Sequence, residues 1–276
     1  DALGCLDKEP VQTPHLDQLA SEGVLFTNAV SCYPVSSPAR GILMSGMYPM
    51  NNKVIGNCNS DTAPYGVELP ETARCWSDVL KDKNYRIFMI LTFLSIIPFT
   101  LYHVYGSMIL ADEHVQHITV TLNLGQLAEM FFLVITTSIL VKSGIKKTLI
   151  YGLVALFVRY FAFFLGAETD AQWFYYIGII VHGLIFGLFY VGGQVYTDQV
   201  APKEMKARAQ GLLFFLVWGI GFLIGTLWNG WLIDLFRDGD KCDWPVLFLI
   251  SSGGSLILLL LFVFAFKPVE LKRKEE

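Results

Sequence analysis

From residue 87 onward the chain is dominated by apolar runs too long to serve as one face of a soluble helix. A helix crossing the hydrocarbon core of a bilayer needs about 20 predominantly apolar residues. Six stretches reach that length: 87–109, 117–141, 147–166, 172–197, 208–235 and 245–266. Short polar segments join them. Inside lipid every backbone polar group has to be satisfied within its own segment, so continuous apolar runs of this kind must be helices. The expected fold is therefore mainly α, a polytopic membrane bundle over residues 87–276 with the lipid bilayer as its surroundings. Residues 1–86 read differently, as ordinary soluble protein with charge, Pro, Asn and Ser throughout. The 54% hydrophobic content and the formal charge of −4 average these two unlike parts. No basic stripe with interleaved aromatics occurs in either, which argues against nucleic acid as a partner.

Loop charge orients the membrane part. One side carries Lys81, Lys83 and Arg86, then Lys142, Lys146 and Lys147, then Lys203, Lys206 and Arg208, and finally Lys267, Lys272, Arg273 and Lys274. The loops of the other side read ADEH, GAETDAQ and RDGDKCDW, with Arg237 and Lys241 their only basic residues. Basic residues stay in the cytoplasm, so both ends of the membrane part are expected there, in the cell (inner) membrane.

Within the spans, Gly183 and Gly187 in the fourth, and Gly221 and Gly225 in the fifth, have the spacing that lets helix backbones approach closely. Pro98 is expected to kink the first span, where neighbouring helices can satisfy the freed backbone. Intramembrane polar residues are rarer and more informative. A charge at the bilayer centre costs about 2.5–3.5 kcal/mol on insertion scales. Asn123, Gln126 and Glu129 recur every three residues and share one helix face, with Thr119 one turn before them. Arg159 lies about two turns from either end of its span. Snorkelling is the bland reading of Arg159, and a structural hydrogen bond that of Glu129; substrate or proton handling is the alternative for both. His182 reads as a packed or hydrogen-bonded residue rather than a ligand.

The segments NLGQLAEMFFL, SGIKKTL, HGLIFGLFYVGGQVYTD, APKEMKARAQGLL and GTLWNGWLIDLF together resemble the C-terminal six helices of the major facilitator superfamily, and more narrowly its nucleoside:proton symporters. The resemblance implies twelve helices in two halves, a nucleoside bound between them near the midplane, proton coupling and alternating access. It covers half of such a transporter, so a homodimer or a missing N-terminal half is implied as partner. Gln126 and Glu129 stand where the family places a glutamine and a glutamate in the substrate cavity. An acidic residue that the family places just after the equivalent of Phe186 is replaced here by Gly187. Asp198, with Lys203, Lys206 and Arg208 nearby, resembles a cytoplasmic gate or anchor. Transport of this kind implies no cofactor.

In the soluble part, TPHLDQLASEG predicts a short helix with Thr13 as N-cap, Pro14 in its first turn and Gly23 as its stop. VLFTNAVS predicts a strand. Ser36 or Ser37 is expected to cap a further helix with Pro38 in its first turn, and another helix is expected over about 71–83. Alternating helix and strand is an α/β pattern. A single strand is too little for a sheet with its own core, so the fragment is incomplete. Of the cysteines, Cys5, Cys32, Cys58 and Cys75 lie here and Cys242 in a late loop. Their spacing matches no metal template, and the odd count argues against a full disulfide framework.

SSPARGILMSG resembles the sulfatase signature, with Ser36, Pro38, Arg40 and Gly46 filling its positions and Cys32 a decoy. TPHLDQLASEGVLFTNAV and RCWSDVLKDKNYR are likewise similar to sulfatase N-terminal sequence. The family implies oxidation of Ser36 to formylglycine, an assisting Arg40, and a calcium ion that polarises the sulfate, with Asp1 as a possible ligand. The remaining ligands and cationic residues it requires would follow the DKNYR helix, where this chain enters IFMILTFLSIIPF. The expected organisation is thus a sulfatase-like fragment over 1–86 and a transporter half over 87–276. Three readings follow: nucleoside transport, sulfate ester hydrolysis through Ser36, or a hybrid with neither activity.

Overall fold

The computed structural model describes residues 12–25, 31–32, 35–55, 69, 75–239 and 241–267. The chain divides into two compact units, Asp1–Ala73 and Arg74–Glu276.

The first unit contributes α1 (Pro14–Glu22), α2 (Ser36–Ser45) and α3 (Pro49–Asn52). Pro14 starts α1, and the Gly23 N–H closes it on Leu19 O at 2.9 Å. Thr13 directs its hydroxyl to the Asp17 carboxylate at 2.8 Å. Most of the expected strand, residues 26–30, lies outside the described residues. The start of α2 corrects the sequence reading. Ser36 and Ser37 are already helical, and the N-cap is Val35, extended at φ −126°, whose carbonyl accepts from the Ala39 N–H. Gly46 ends α2 at φ 64°, a left-handed position that glycine adopts without penalty. Asn52 is buried and joins α2 to α3, donating to Ser45 Oγ at 3.2 Å and Met47 O at 3.0 Å.

The second unit opens with a 3₁₀ turn, Trp76–Lys81, instead of the α-helix expected to reach residue 83. Asp82 is the reason. Its backbone is extended, and its carboxylate accepts from the Tyr85 N–H at 2.6 Å, so it ends one element and caps the next. That next element is α4 (Lys83–Asp112), which begins four residues before the expected span. Then come α5 (Ile118–Thr169), α6 (Trp173–Val200), α7 (Lys203–Leu235) and α8 (Trp244–Ala265). A short hairpin, β1 (Arg237–Asp238) with β2 (Lys241–Cys242), links the last two.

Five helices nevertheless make six crossings. At about 1.5 Å per residue a straight 52-residue α5 would be about 78 Å long, against a hydrocarbon core of about 30 Å. Gly144, at φ 76° and ψ 166°, breaks it into two limbs in a region of backbone space reserved for glycine. The expected spans 117–141 and 147–166 are these limbs. Both α6 and α7 also contain a π-helical stretch, Ile185–Val191 and Phe215–Gly221.

The ends of the bundle are tied by polar side chains. At one end Lys267 N–H donates to Asn84 Oδ1 at 2.8 Å, and Lys146 Nζ donates to Val263 O at 2.8 Å. The start of α4, the bend of α5 and the end of α8 therefore lie on the same side. At the other end the Trp244 indole donates to Asp112 at 2.9 Å, and the Tyr175 hydroxyl donates to Glu113 at 2.6 Å. Both glycine pairs mark helix contacts. A Cβ on Gly183 would sit 2.5 Å from the Ala128 carbonyl on the first limb of α5, and one on Gly225 would sit 2.6 Å from Thr100 Oγ1 on α4.

Candidate substrate and proton site between the helices

Arg159 is fully buried on the second limb of α5, among aromatic side chains. Nothing about it snorkels. Its guanidinium carbon lies 4.5 Å from the ring centre of Tyr102 and 5.9 Å from that of Phe99. Nε donates to Gly178 O at 3.3 Å, and Nη2 meets Nδ1 of His182 at 2.5 Å. The other ring nitrogen of His182 lies 2.5 Å from Glu129 Oε1. A chain Glu129–His182–Arg159 thus joins the first limb of α5, α6 and the second limb of α5. Phe99 stacks on His182 at 5.6 Å and on His103 at 5.2 Å, closing the cluster from α4. Trp218, on the π stretch of α7, abuts Phe99 and Tyr190 at 5.6 and 5.3 Å.

The helices are shaped to make this possible. Gly183 allows α6 to rest on the backbone of α5 at Ala128 and Glu129, which sets His182 against Glu129. Tyr160, the neighbour of Arg159, donates to Pro98 O and accepts from the Tyr102 N–H at 3.3 Å. Asn229 on α7 donates to Ile97 O at 2.7 Å. Interior side chains therefore serve the backbone around Pro98, and the same stretch presents Phe99, Tyr102 and His103 to the site.

Of the residues expected from sequence, Glu129 and Arg159 are brought together through His182. Asn123 and Gln126 sit on the Glu129 face of α5, exposed, and neither makes a side-chain hydrogen bond among the described residues. Thr119 is exposed as well. Sequence reasoning gave His182 a hydrogen-bonding place but not its partners, and it missed His103, Tyr160 and Asn229. The signal that could have found them was Arg159, since a buried guanidinium requires acceptors and aromatic faces around it. At Gly187 a Cβ would come within 2.5 Å of Thr136 Oγ1, so the helix crossing fills the room that a carboxylate side chain would need.

Asp198 pairs with Lys206 at 2.5 Å, across the turn between α6 and α7. Lys203 is exposed. Ser36 and Arg40 lie one turn apart on the exposed face of α2. Asp1 lies outside the described residues. No group of three or more His, Cys, Asp or Glu able to hold a metal occurs among the described residues, so the calcium implied by the sulfatase resemblance has no ligand set there. Outside the helices, burial and the nearby Asp170 and Asp112 carboxylates raise the pKa of Glu113, against the opposing Tyr175 hydrogen bond.

Comparison with known proteins agrees with this architecture. The sulfatase family model matches residues 1–95. Within that part the chain is 44% identical over 77 residues to an endo-4-O-sulfatase of Bacteroides thetaiotaomicron, covering 28% of this chain and 15% of that protein. The membrane part is 29% identical over 198 residues to YegT of Escherichia coli, covering 68% of this chain and 46% of that protein. It is 32% identical over 156 residues to the xanthosine permease of the same organism, covering 55% and 37%. The chain thus spans less than half the length of these two relatives. The solved structure of the nucleoside transporter NupG shares its fold at a TM-score of 0.65 and 24% identity, over 70% of this chain and 51% of that one. A family model described as nucleoside H+ symporter matches residues 73–270, most of the chain. The protein, an integral membrane protein with a sulfatase-like N-terminal segment, belongs to the nucleoside H+ symporter family.

Proposed function

We propose that the membrane unit forms half of a nucleoside:proton symporter, working by alternating access once a second half completes the cavity. The observation that carries this reading is the polar face of α5. Asn123 and Gln126 stand open beside Glu129, whose carboxylate is tied through His182 to the buried Arg159. Amide side chains both donate and accept, as the hydroxyls of a ribose and the edge of a base require. Glu129 is the group that carries the proton or holds the substrate, with Gln126 and Asn123 as its hydrogen-bonding partners and Arg159 anchoring the site from behind. Asp198, with Lys206, Lys203 and Arg208, serves as the gate at the basic end, which faces the cytoplasm. The second half is supplied by a further copy whose polar face meets this one, or by an N-terminal half that the present sequence does not span. Uridine uptake driven by a proton gradient in proteoliposomes, abolished by Glu129→Ala, is the expected result. Absence of uptake from the wild-type chain overturns the reading.

A second reading assigns sulfate ester hydrolysis to Ser36 after oxidation to formylglycine. In its favour is the i, i+4 placement of Ser36 and Arg40 on one exposed helix face. Unmodified Ser36 by mass spectrometry, together with no arylsulfatase activity, would end it.

A further inference from the structure

Hydrogen-bond chemistry fixes the state of His182 from both sides. A guanidinium stays protonated in proteins and carries only donors. The atom facing Arg159 Nη2 must therefore offer a lone pair, which makes Nδ1 of His182 the unprotonated ring nitrogen. The single ring proton then sits on Nε2 and points at Glu129 Oε1. Only this neutral tautomer makes both hydrogen bonds at once. A proton arriving at Nδ1 would set donor against donor, and the bond to Arg159 would open.

Hydrogen-bond chemistry decides which side yields, because an imidazolium still donates from Nε2 to Glu129 whereas its Nδ1–H would face the Arg159 donor. At Gly183 the backbone of α6 lies directly on Ala128 and Glu129, so the His182–Glu129 side cannot slide apart. On the Arg159 side, Nη1 is buried without a hydrogen-bond partner among the described residues, and the π stretch Ile185–Val191 begins three residues after His182. Such stretches are places where a helix can change register locally.

We infer that His182 is a positioning residue of the transport cycle: as the Nε2–H tautomer it orients the Glu129 carboxylate and restrains Arg159, and a proton taken up at Nδ1 releases Arg159. The inference rests on the symport reading of Glu129 given above. In the step itself the Nη2–H···Nδ1 hydrogen bond breaks, a hydronium ion reaching the site gives its proton to Nδ1 and leaves as water, and the imidazolium stays paired with Glu129. No electrons are transferred. The titratable and charged groups around His182 are Tyr102 and His103 from α4, and Glu129 and Arg159 from the two limbs of α5.

Two measurements on the full chain test this. Nitrogen NMR of ¹⁵N-histidine-labelled protein in lipid nanodiscs, with His182 assigned by its loss in His182→Gln, should show the Nε2–H tautomer at pH 7. Arg159→Lys, which still presents a donor, should keep it. An Nδ1–H tautomer or an imidazolium at pH 7 overturns the inference, even if uridine is transported. The second measurement is the pH profile of uridine uptake. In His182→Gln the amide oxygen can face Arg159 and its NH₂ can face Glu129, but the amide does not titrate. Uptake by this variant should change less than about twofold over the interval in which the wild type changes about tenfold. The control His117→Gln, altered in the loop before α5, should keep the wild-type profile. A profile unchanged in His182→Gln overturns the inference. The Nε2–H tautomer without uridine uptake supports the geometry and instead sinks the transport reading.

Discussion

At the residue scale, single polar atoms hold the membrane unit in register. The Tyr160 hydroxyl bonds both the Pro98 carbonyl and the Tyr102 N–H, and the Tyr160 side chain is fully buried. Tyr160→Phe should therefore lower stability by about 1–3 kcal/mol, the usual cost of leaving buried polar groups unsatisfied. Thermal unfolding in detergent would show it as a drop in Tm without a change in helix content. The glycines of α6 make a paired prediction. A methyl group on Gly183 would meet backbone, Ala128 O at 2.5 Å, whereas one on Gly187 would meet the Thr136 hydroxyl, a side chain able to turn away. Gly183→Ala should thus cost more than Gly187→Ala, with the larger loss in the range of about 1–3 kcal/mol that overpacking brings. Equal losses in the same melting experiment would contradict the backbone contact.

At the element scale, Gly144 is where conformation is most demanding. No L-residue with a side chain adopts φ 76° with ψ 166° readily, and no atom of the other described residues lies within 4 Å of a Cβ built there. Gly144→Ala should lose about 1–3 kcal/mol through backbone strain alone. Gly211→Ala, in an exposed and regular turn of α7 with equal free space, should gain about 0.5–1 kcal/mol. The contrast separates strain from crowding in one pair of melts. These elements also show how far the sequence could be read. The six crossings were legible because length and apolarity alone define them, and Gly144 falls in the lysine-rich gap between two of them. The start of α4 was not legible. Apolarity begins at Ile87, but the capping carboxylate of Asp82 starts the helix at Lys83. The π stretches left no mark in composition, since they arise from packing against other helices. In the site, the face shared by Asn123, Gln126 and Glu129 follows from a three-residue spacing. The link through His182 does not, because it joins three helix segments that only the tertiary fold brings together.

At the scale of the whole molecule, the loop charges assign a direction that the fold makes testable. The bend of α5, the start of α4 and the end of α8 share one side, tied by Lys146, Asn84 and Lys267. The hairpin between α7 and α8 belongs to the opposite side, where Trp244 meets Asp112 at the far end of α4. If the basic side is cytoplasmic, as the positive-inside bias predicts, the hairpin faces outward. An impermeant maleimide added to intact cells should then reach Cys242 but not the exposed Cys32. The reaction at Cys242 should be slow. Burial, reinforced by Asp112 and Asp243 and only partly offset by Arg237, pushes its thiol up to about 11, and the thiolate is the reactive form. Its labelling rate should rise about tenfold per pH unit above neutrality and level off only near that value. Lys241→Cys in a Cys242→Ser background supplies an exposed thiol on the same hairpin and should label readily at pH 7. Labelling of Cys32 in intact cells, with protection of position 241 until the membrane is permeabilised, would reverse the orientation and move the Asp198–Lys206 pair to the outer face.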